Sequence, residues 1–350
     1  MRVGMLTGGG DCPGLNAVIR AVVRRTIGKY GGSVVGFRYG WAGVIGGNTL
    51  KLGIDEVSGI LPRGGTILGT SRTNPYKVDG GVDAIVRTFK KEDLDAMITV
   101  GGEDTLGVAN ALYEHENLPL IGVPKTIDND IPGTDFTFGF DTAVTIAAEA
   151  IDRLHTTAES HNRVVVVEVM GRHTGWIAVK AGIAGGADLI IIPEIPMSLE
   201  EICDVIRKRH ERGKNFSIVV VAEGAQYPSD APDQEAGHLV TLEQTKDAFG
   251  HVRLGGIGNR LARAIESETG YETRVSVLGY IQRGGTPTAF DRVLGTRFGV
   301  LAADLAHQGN FGKMVSLNGD RVIPIALSHA SETVKRVDME LFDVARTFFG

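Results

Sequence analysis

The feature that most constrains this chain is a repeated alternation. Short, near-continuous apolar runs end abruptly in polar or glycine-rich turns, and segments of helical length follow. "RVGML" (2–6) runs into "TGGGDCPG" (7–14), "AMITV" (96–100) into "GGEDTLG" (101–107), and "LPLIGV" (118–123) into "PKTIDND" (124–130). Further on, "RVVVVEV" (163–169) leads to "MGRHTG", "ADLIII" (187–192) to "PEIP", "FSIVVVA" (216–222) to "EGAQ", and "RVSVLGY" (274–280) to "IQRGG". Runs that are apolar throughout, rather than alternating, belong to parallel strands buried on both faces. The alternation therefore predicts an α/β fold of doubly wound sheets, in which ligands bind beyond the carboxyl ends of the strands. All the unusual turns fall at that edge, and their convergence points to an active site more strongly than any one of them.

The clearest helix is expected over 141–161, with Val144, Ala147, Ile151 and Leu154 at helical spacing and Asp141 placed to cap it. The number of apolar runs predicts two sheets, with a boundary near residue 140. A chain of 350 residues has room for two domains or one large unit. The polar stretch 226–238 is expected to be an exposed loop. The formal net charge of −6 argues against a nucleic-acid partner. No apolar stretch approaches the length of a membrane span, and "MRVGMLTGGG" lacks the apolar core of a signal peptide. Two cysteines, Cys12 and Cys203, make neither a disulfide framework nor a cysteine zinc site, which suits a reducing cytoplasm. Cys12 is expected to be a small buried spectator. Forty-eight glycines, about twice the usual share, imply many positions of open φ or close ligand approach.

Each turn has chemistry open to it. "TGGGDCPGLN" opens a helix and presents backbone amides to an anion, although it matches neither the dinucleotide nor the P-loop spacing. A tight turn without ligand would look the same. In "GGED" the glycines admit a phosphate while Glu103 is placed to hold Mg²⁺, itself bound by phosphate oxygens; a solvated acidic loop is the alternative. In "PKTIDND", Asp128 is a candidate general base toward a hydroxyl, and Asp130 would orient it or help the metal. Thr126 would donate to phosphate and Lys125 would act as a point charge on phosphate oxygens. The same residues would also suit an Asx-rich turn. Arg163, Arg172, Arg274 and Arg283 lie at strand starts and ends, where guanidinium groups bind phosphate bidentately. Neither His161 nor His173 has a partner at metal-ligand spacing.

Taken in order, "GGGDCPGLN", "GGEDT", "PKTIDND", "SHNRVVVVEVMGRHTGW", "AEG", "ETRVSVLGYIQRGG" and "TAFDR" resemble the hallmarks of the phosphofructokinase family over essentially the whole chain. The resemblance implies two α/β domains with the active site between them: 1–139 with 283–335 for the donor and Mg²⁺, and 140–282 with 336–350 for the sugar phosphate. It implies Mg²⁺-dependent phosphorylation of the 1-hydroxyl of fructose 6-phosphate, with Asp128 as base, Thr126 near the reacting groups and Gly10 on the donor phosphate. Met170, Gly171 and Arg172 would line the sugar and the transferred group, and Glu223 would accept sugar hydroxyls. Arg163, Arg274, Tyr280 and Arg283 would clamp the sugar's phosphate, with Arg163 and Arg274 reaching in from a neighbouring subunit of a homodimer or homotetramer. Tyr280 stands where a histidine is common.

ATP-using members resemble "GGDG" and "PGTIDND", with glycine at the two places held here by Asp104 and Lys125. An aspartate there fills the room of a nucleotide's α-phosphate and opposes its charge, whereas Lys125 neutralises a compact terminal phosphate. Both substitutions match the diphosphate-using branch, so inorganic diphosphate is the expected donor and the reaction is expected to be reversible. An ATP-dependent enzyme, a diphosphate-dependent kinase also acting on sedoheptulose 7-phosphate, and an inactive phosphosugar-binding regulator are the alternatives. Arg20, Arg24, Arg212 and Lys214 match effector-binding positions of bacterial relatives, but His155 and Phe216 depart from them, so effector control is not expected.

Overall fold

The computed structural model describes residues 1–226, 241–243, 248–250 and 253–350. The chain divides into two compact units. Met1–Thr142, Arg283–Val334 and a short piece holding Phe249 form the first; most of the chain from Ala143 to Gln282, with Lys335–Gly350, forms the second. The stretch 226–238 lies, but for Gln226, outside the described residues.

From the N-terminus come β1 (Arg2–Thr7), α1 (Leu15–Tyr30), β2 (Ser33–Phe37), α2 (Gly40–Gly46) and β3 (Thr49–Leu52). There follow α3 (Gly81–Lys91), β4 (Ala96–Gly101), α4 (Glu103–Glu116), β5 (Leu120–Pro124) and the long α5 (Phe140–His161). Next are β6 (Val164–Val169), α6 (Trp176–Ala184), β7 (Leu189–Ile191), α7 (Leu199–Glu211) and β8 (Ser217–Ala222). Two short strands, β9 (Thr241–Glu243) and β10 (Arg253–Leu254), precede α8 (Ile257–Thr269) and β11 (Thr273–Val277). The chain closes with α9 (Ala289–His307), β12 (Lys313–Asn318), β13 (Arg321–Ala326) and α10 (Met339–Arg346).

The first unit holds a seven-stranded sheet in the order β13-β12-β5-β4-β1-β2-β3. Its middle, from β12 to β2, is parallel. The strands β4 and β5 are buried at every residue, which is why their sequences do not alternate. The glycine turns after β1 and β4 and the "PKTIDND" turn after β5 therefore leave from one edge. The margins β3 and β13 are antiparallel to their neighbours and were not expected. Both are partly exposed, and Pro324 within β13 is tolerated because an edge strand has one side free of the ladder.

The second unit holds a parallel sheet, β11-β6-β8-β7. Every residue of β6 and β8 is buried, and the "MGR", "EG" and "GYIQR" turns again share one edge. Behind this sheet Val164, Val166, Leu189, Val219 and Val221 pack with Ile202, Ile206, Leu261 and Ile265 from α7 and α8. Burying one such aliphatic side chain contributes about 1.5–3 kcal/mol.

The helix expected over 141–161 starts one residue earlier, at Phe140, so Asp141 lies inside the first turn instead of capping it. Its carboxylate accepts from the Thr288 hydroxyl at 2.7 Å. Asp291, fully buried, does the pinning: it accepts from both the amide (2.8 Å) and the hydroxyl (2.5 Å) of Thr142. This ties the start of α9 to the start of α5. Burial raises the Asp291 carboxyl to about 6, with the Thr142 bonds opposing the rise. The folded state thus holds this proton more tightly than the unfolded chain does. The group's contribution is complete below about pH 4 and is lost as pH rises through about 6, a difference of roughly 3 kcal/mol. Asp291→Asn, which keeps an acceptor for Thr142, should abolish this part of the pH dependence. Denaturant unfolding of both proteins at pH 4.5 and pH 7 checks it, because the two stabilities should converge at the lower pH.

Candidate active site

In the first unit the turn after β1 is stitched on two sides. The Gly8 amide donates to Val100 O at 2.9 Å, fixing the turn to the end of β4. On the other side runs an irregular strap, residues 60–74. The Gly9 amide donates to Ser71 O (3.1 Å), the Thr70 hydroxyl to Gly9 O (2.5 Å) and the Thr7 hydroxyl to Gly69 O (2.8 Å). Asn16, buried at the start of α1, donates to Arg63 O (3.0 Å) and accepts from Ile67 N (2.9 Å). This strap was not singled out from sequence; "RGGT" and "GTSRT", arginines among glycines and hydroxyls, are the signal that would have drawn attention to it.

Two cations close on the turn. The Lys125 ammonium donates to Gly10 O. The Arg283 guanidinium lies so near Gly10 that a Cβ there would run into it, so only glycine leaves the arginine in place. Lys125 is buried, and burial lowers its pKa. Arg283 adds to that lowering, while Cys12, Asp128 and Asp11 act against it. An anion arriving here would meet two positive groups with little competing water, where charge pairs are strong. Cys12 is fully buried and its thiol pKa is raised, which fits a spectator.

After β5 the "PKTIDND" turn folds back on itself. The Lys125 amide donates to Gly101 O (2.9 Å), setting this turn beside "GGED". Thr126 Oγ1 accepts from the Asp128 amide (3.0 Å), and Thr126 O accepts from the Thr137 hydroxyl (2.8 Å). Asn129 takes the left-handed conformation at φ 53°, and its side chain accepts from Thr137 N at 3.1 Å. Asp128 is thereby held buried, at 5% exposure, whereas Asp130 is half-buried. Glu103 and Asp104 occupy the first turn of α4, with Glu103 exposed and Asp104 half-buried. Among the described residues no three His, Cys, Asp or Glu side chains converge as a complete metal cage. Mg²⁺ needs none, since one or two carboxylates plus substrate phosphates commonly hold it. Glu103, exposed in the first turn of α4 just after Gly101 and Gly102, fits that donor set.

In the second unit the "MGR" turn is held in a rare backbone shape. Gly171 has φ 145° and Arg172 has φ 49°, a conformation few arginines adopt. Glu223, buried after β8, accepts from the Arg172 amide at 3.1 Å, and Thr174 donates its hydroxyl to Gly171 O at 3.1 Å. Gly224 follows because a Cβ there would overlap Arg172 O. Met170 is buried at the head of the same turn. Met170, Gly171, Arg172 and Glu223 thus form one cluster.

Arg163 and Arg274 form another. At the far ends of β6 and β11 from the "MGR" turn, both bind Glu272 Oε1, Arg163 at 2.8 Å. Tyr280 is exposed, as are Val277 and Ile281 nearby in sequence. Arg283, grouped with Arg163, Arg274 and Tyr280 in the sequence, belongs to the first unit beside Gly10. His155 and Phe216 pack edge to face with ring centroids 6.0 Å apart, and Arg209 covers the Phe216 ring.

Comparison with known proteins gives the same picture. The chain is 55% identical to the pyrophosphate–fructose 6-phosphate 1-phosphotransferase of Streptomyces coelicolor, over all of both chains. It is also 52% identical, over all of both chains, to a Mycobacterium bovis protein named ATP-dependent 6-phosphofructokinase. Its fold matches the crystal structure of a pyrophosphate-dependent phosphofructokinase from Nitrosospira multiformis with a TM-score of 0.82, at 22% identity, covering 96% of this chain and 86% of that one. The family model "Phosphofructokinase" matches residues 2–306. With a family model matching residues 2–306 and relatives matching its whole length, the chain belongs to the phosphofructokinase family.

Proposed function

We propose that this protein transfers a phosphoryl group reversibly from inorganic diphosphate to the 1-hydroxyl of fructose 6-phosphate. The observation that carries the choice of donor is the pair Asp104 and Lys125, with the Lys125 ammonium bonded to the backbone of the glycine turn. Three full-length relatives at 55–56% identity are named for the diphosphate reaction. The ATP-dependent reading draws on the relatives of 50–52% identity that bear that name.

On the donor side, the Gly10 turn, Lys125 and Arg283 bind diphosphate oxygens. Glu103 would hold Mg²⁺, which when bound neutralises phosphate charge and orients the transferred group. On the acceptor side, Glu223 accepts sugar hydroxyls with the capacity left beside its bond to Arg172, since a carboxylate has about four acceptor sites. Met170 and Gly171 line the sugar. Arg163, Arg274 and Tyr280 hold its phosphate. The 1-hydroxyl oxygen forms its bond to phosphorus as the bridging P–O bond of diphosphate breaks. Asp128 takes the hydroxyl proton, Thr126 donates to the phosphoryl oxygens, Arg172 and Lys125 offset their charge, and inorganic phosphate leaves.

Arg163 and Arg274 serve a second subunit in this reading. Support comes from their shared, exposed Glu272 and, at the other end of β11, from the exposed apolar side chains Val277 and Ile281. The protein is then a homo-oligomer working in the cytoplasm, with no membrane or nucleic-acid partner. Among the described residues no helix is long and apolar enough to cross a membrane.

The test is a kinetic comparison of diphosphate with ATP at saturating fructose 6-phosphate and Mg²⁺. Diphosphate should support turnover with a kcat/KM at least about 10²-fold above that for ATP, as expected from the charge opposing a nucleotide at Asp104. Equal use of the two donors would overturn the reading.

A further inference from the structure

One charged residue stands alone in the most apolar run of the chain. Glu168 lies within β6, whose other residues are all valine, and is 2% exposed. Buried carboxylates are rare unless they are bonded. Here the carboxylate accepts from the Gly256 amide, at 3.0 Å to Oε1 and 3.1 Å to Oε2, and from the Gly258 amide at 2.8 Å. These amides form the N-terminus of α8, whose N-cap is Gly256. A negative charge is favoured there by the helix dipole. The approach is close: a Cβ on Gly258 would stand 3.0 Å from Glu168 Oε2. The backbone of the same residue is also engaged, with Glu168 O accepting from the Leu278 amide at 3.0 Å.

The register gives this anchor its meaning. Glu168 pairs with Val277 of β11 on one side and with Val221 of β8 on the other. Two or three residues beyond that rung come Met170, Glu223 and Tyr280, each at the head of a turn assigned above to the sugar phosphate. We propose that Glu168 is a positioning residue for fructose 6-phosphate. By clamping α8 and Leu278 onto one rung, it sets the spacing of the three turns. It touches no substrate itself. This inference rests on the proposed function.

The experiment compares Glu168→Gln and Glu168→Met with the unaltered enzyme. Methionine is similar in size but leaves two amides without an acceptor, whereas glutamine keeps one acceptor. Glu168→Met should raise the KM for fructose 6-phosphate about tenfold or more, since small misplacements of positioning groups are costly. The KM for diphosphate should stay within about twofold, because the Gly10 turn, Lys125 and Arg283 that bind it lie in the other unit and Arg172 meets only the group in transfer. Glu168→Gln should recover most of the loss. Gly258→Ala presses on the carboxylate, and equally on Val275 of β11, without removing either; it should raise the same KM alone, which covers the case where Glu168→Met does not fold. The rise in thermal unfolding temperature produced by fructose 6-phosphate alone should shrink in the same variants. Equal changes in both KM values, or no change in either, would overturn the proposal. If the unaltered enzyme turned over neither donor, the functional reading would fail, while the thermal shift would still judge Glu168.

Discussion

Replacing Asp128 by alanine is expected to lower kcat at least about 10²-fold, as for loss of a general base, while both substrates still bind. The expectation follows from how the residue is held. Its amide is tied to Thr126 Oγ1, its neighbour Asn129 is locked in a left-handed conformation by Thr137, and its side chain is buried. The bonds named here run through the Asp128 amide and the Asn129 side chain, and alanine at 128 keeps both. Pre-steady-state measurement of the transfer step, with KM values for both substrates, checks the result. A kcat within about threefold of the unaltered enzyme would assign the proton to another group.

Asp104→Gly should admit ATP, and more so with Lys125→Gly. Asp104 is half-buried in the first turn of α4, near the edge from which the glycine turn also leaves. Two like charges at about 4 Å, with an effective dielectric near 20, oppose each other by on the order of 4 kcal/mol. Roughly three powers of ten in nucleotide affinity go with that. The single substitution should therefore improve kcat/KM for ATP by up to about 10³-fold. The double substitution should also weaken diphosphate, because the Lys125 ammonium that closes on Gly10 is gone. Donor ratios measured for the three proteins at fixed fructose 6-phosphate decide the matter. An unchanged ratio in Asp104→Gly would remove the exclusion argument.

The parallel strands were legible because burial on both faces leaves a mark: "AMITV" and "VVVVEV" cannot be half-exposed strands, and they are not. The margins β3 and β13 were not legible. "TLKL" and "RVIPIA" are short, mixed in polarity and, in the second case, interrupted by Pro324, features that an edge position permits and that a loop would share. Asp141 had the residue type of a cap, yet helix ends are the least determined part of a sequence reading, and Phe140 proved to be inside the helix. The site divides in the same way. The turns carrying Glu103, Asp128, Arg172 and Glu223 were legible as turns because each follows a strand buried along its length. The strap 60–74 was not, because it has no periodicity and its order comes from side chains elsewhere, above all Asn16, Thr7 and the backbone of Gly9. Glu168 was hidden in plain view, since only the register shows what a carboxylate inside a valine run is for.

The strap has a consequence for recombining such proteins. The glycine turn takes part of its fastening from a segment some sixty residues downstream, through hydroxyl-to-carbonyl bonds supplied by Thr7 and Thr70. It is therefore not a portable cassette. A chimera that imported the turn with its helix, and left the host's own sequence over 60–74, would carry the motif intact and lose the partner that shapes it.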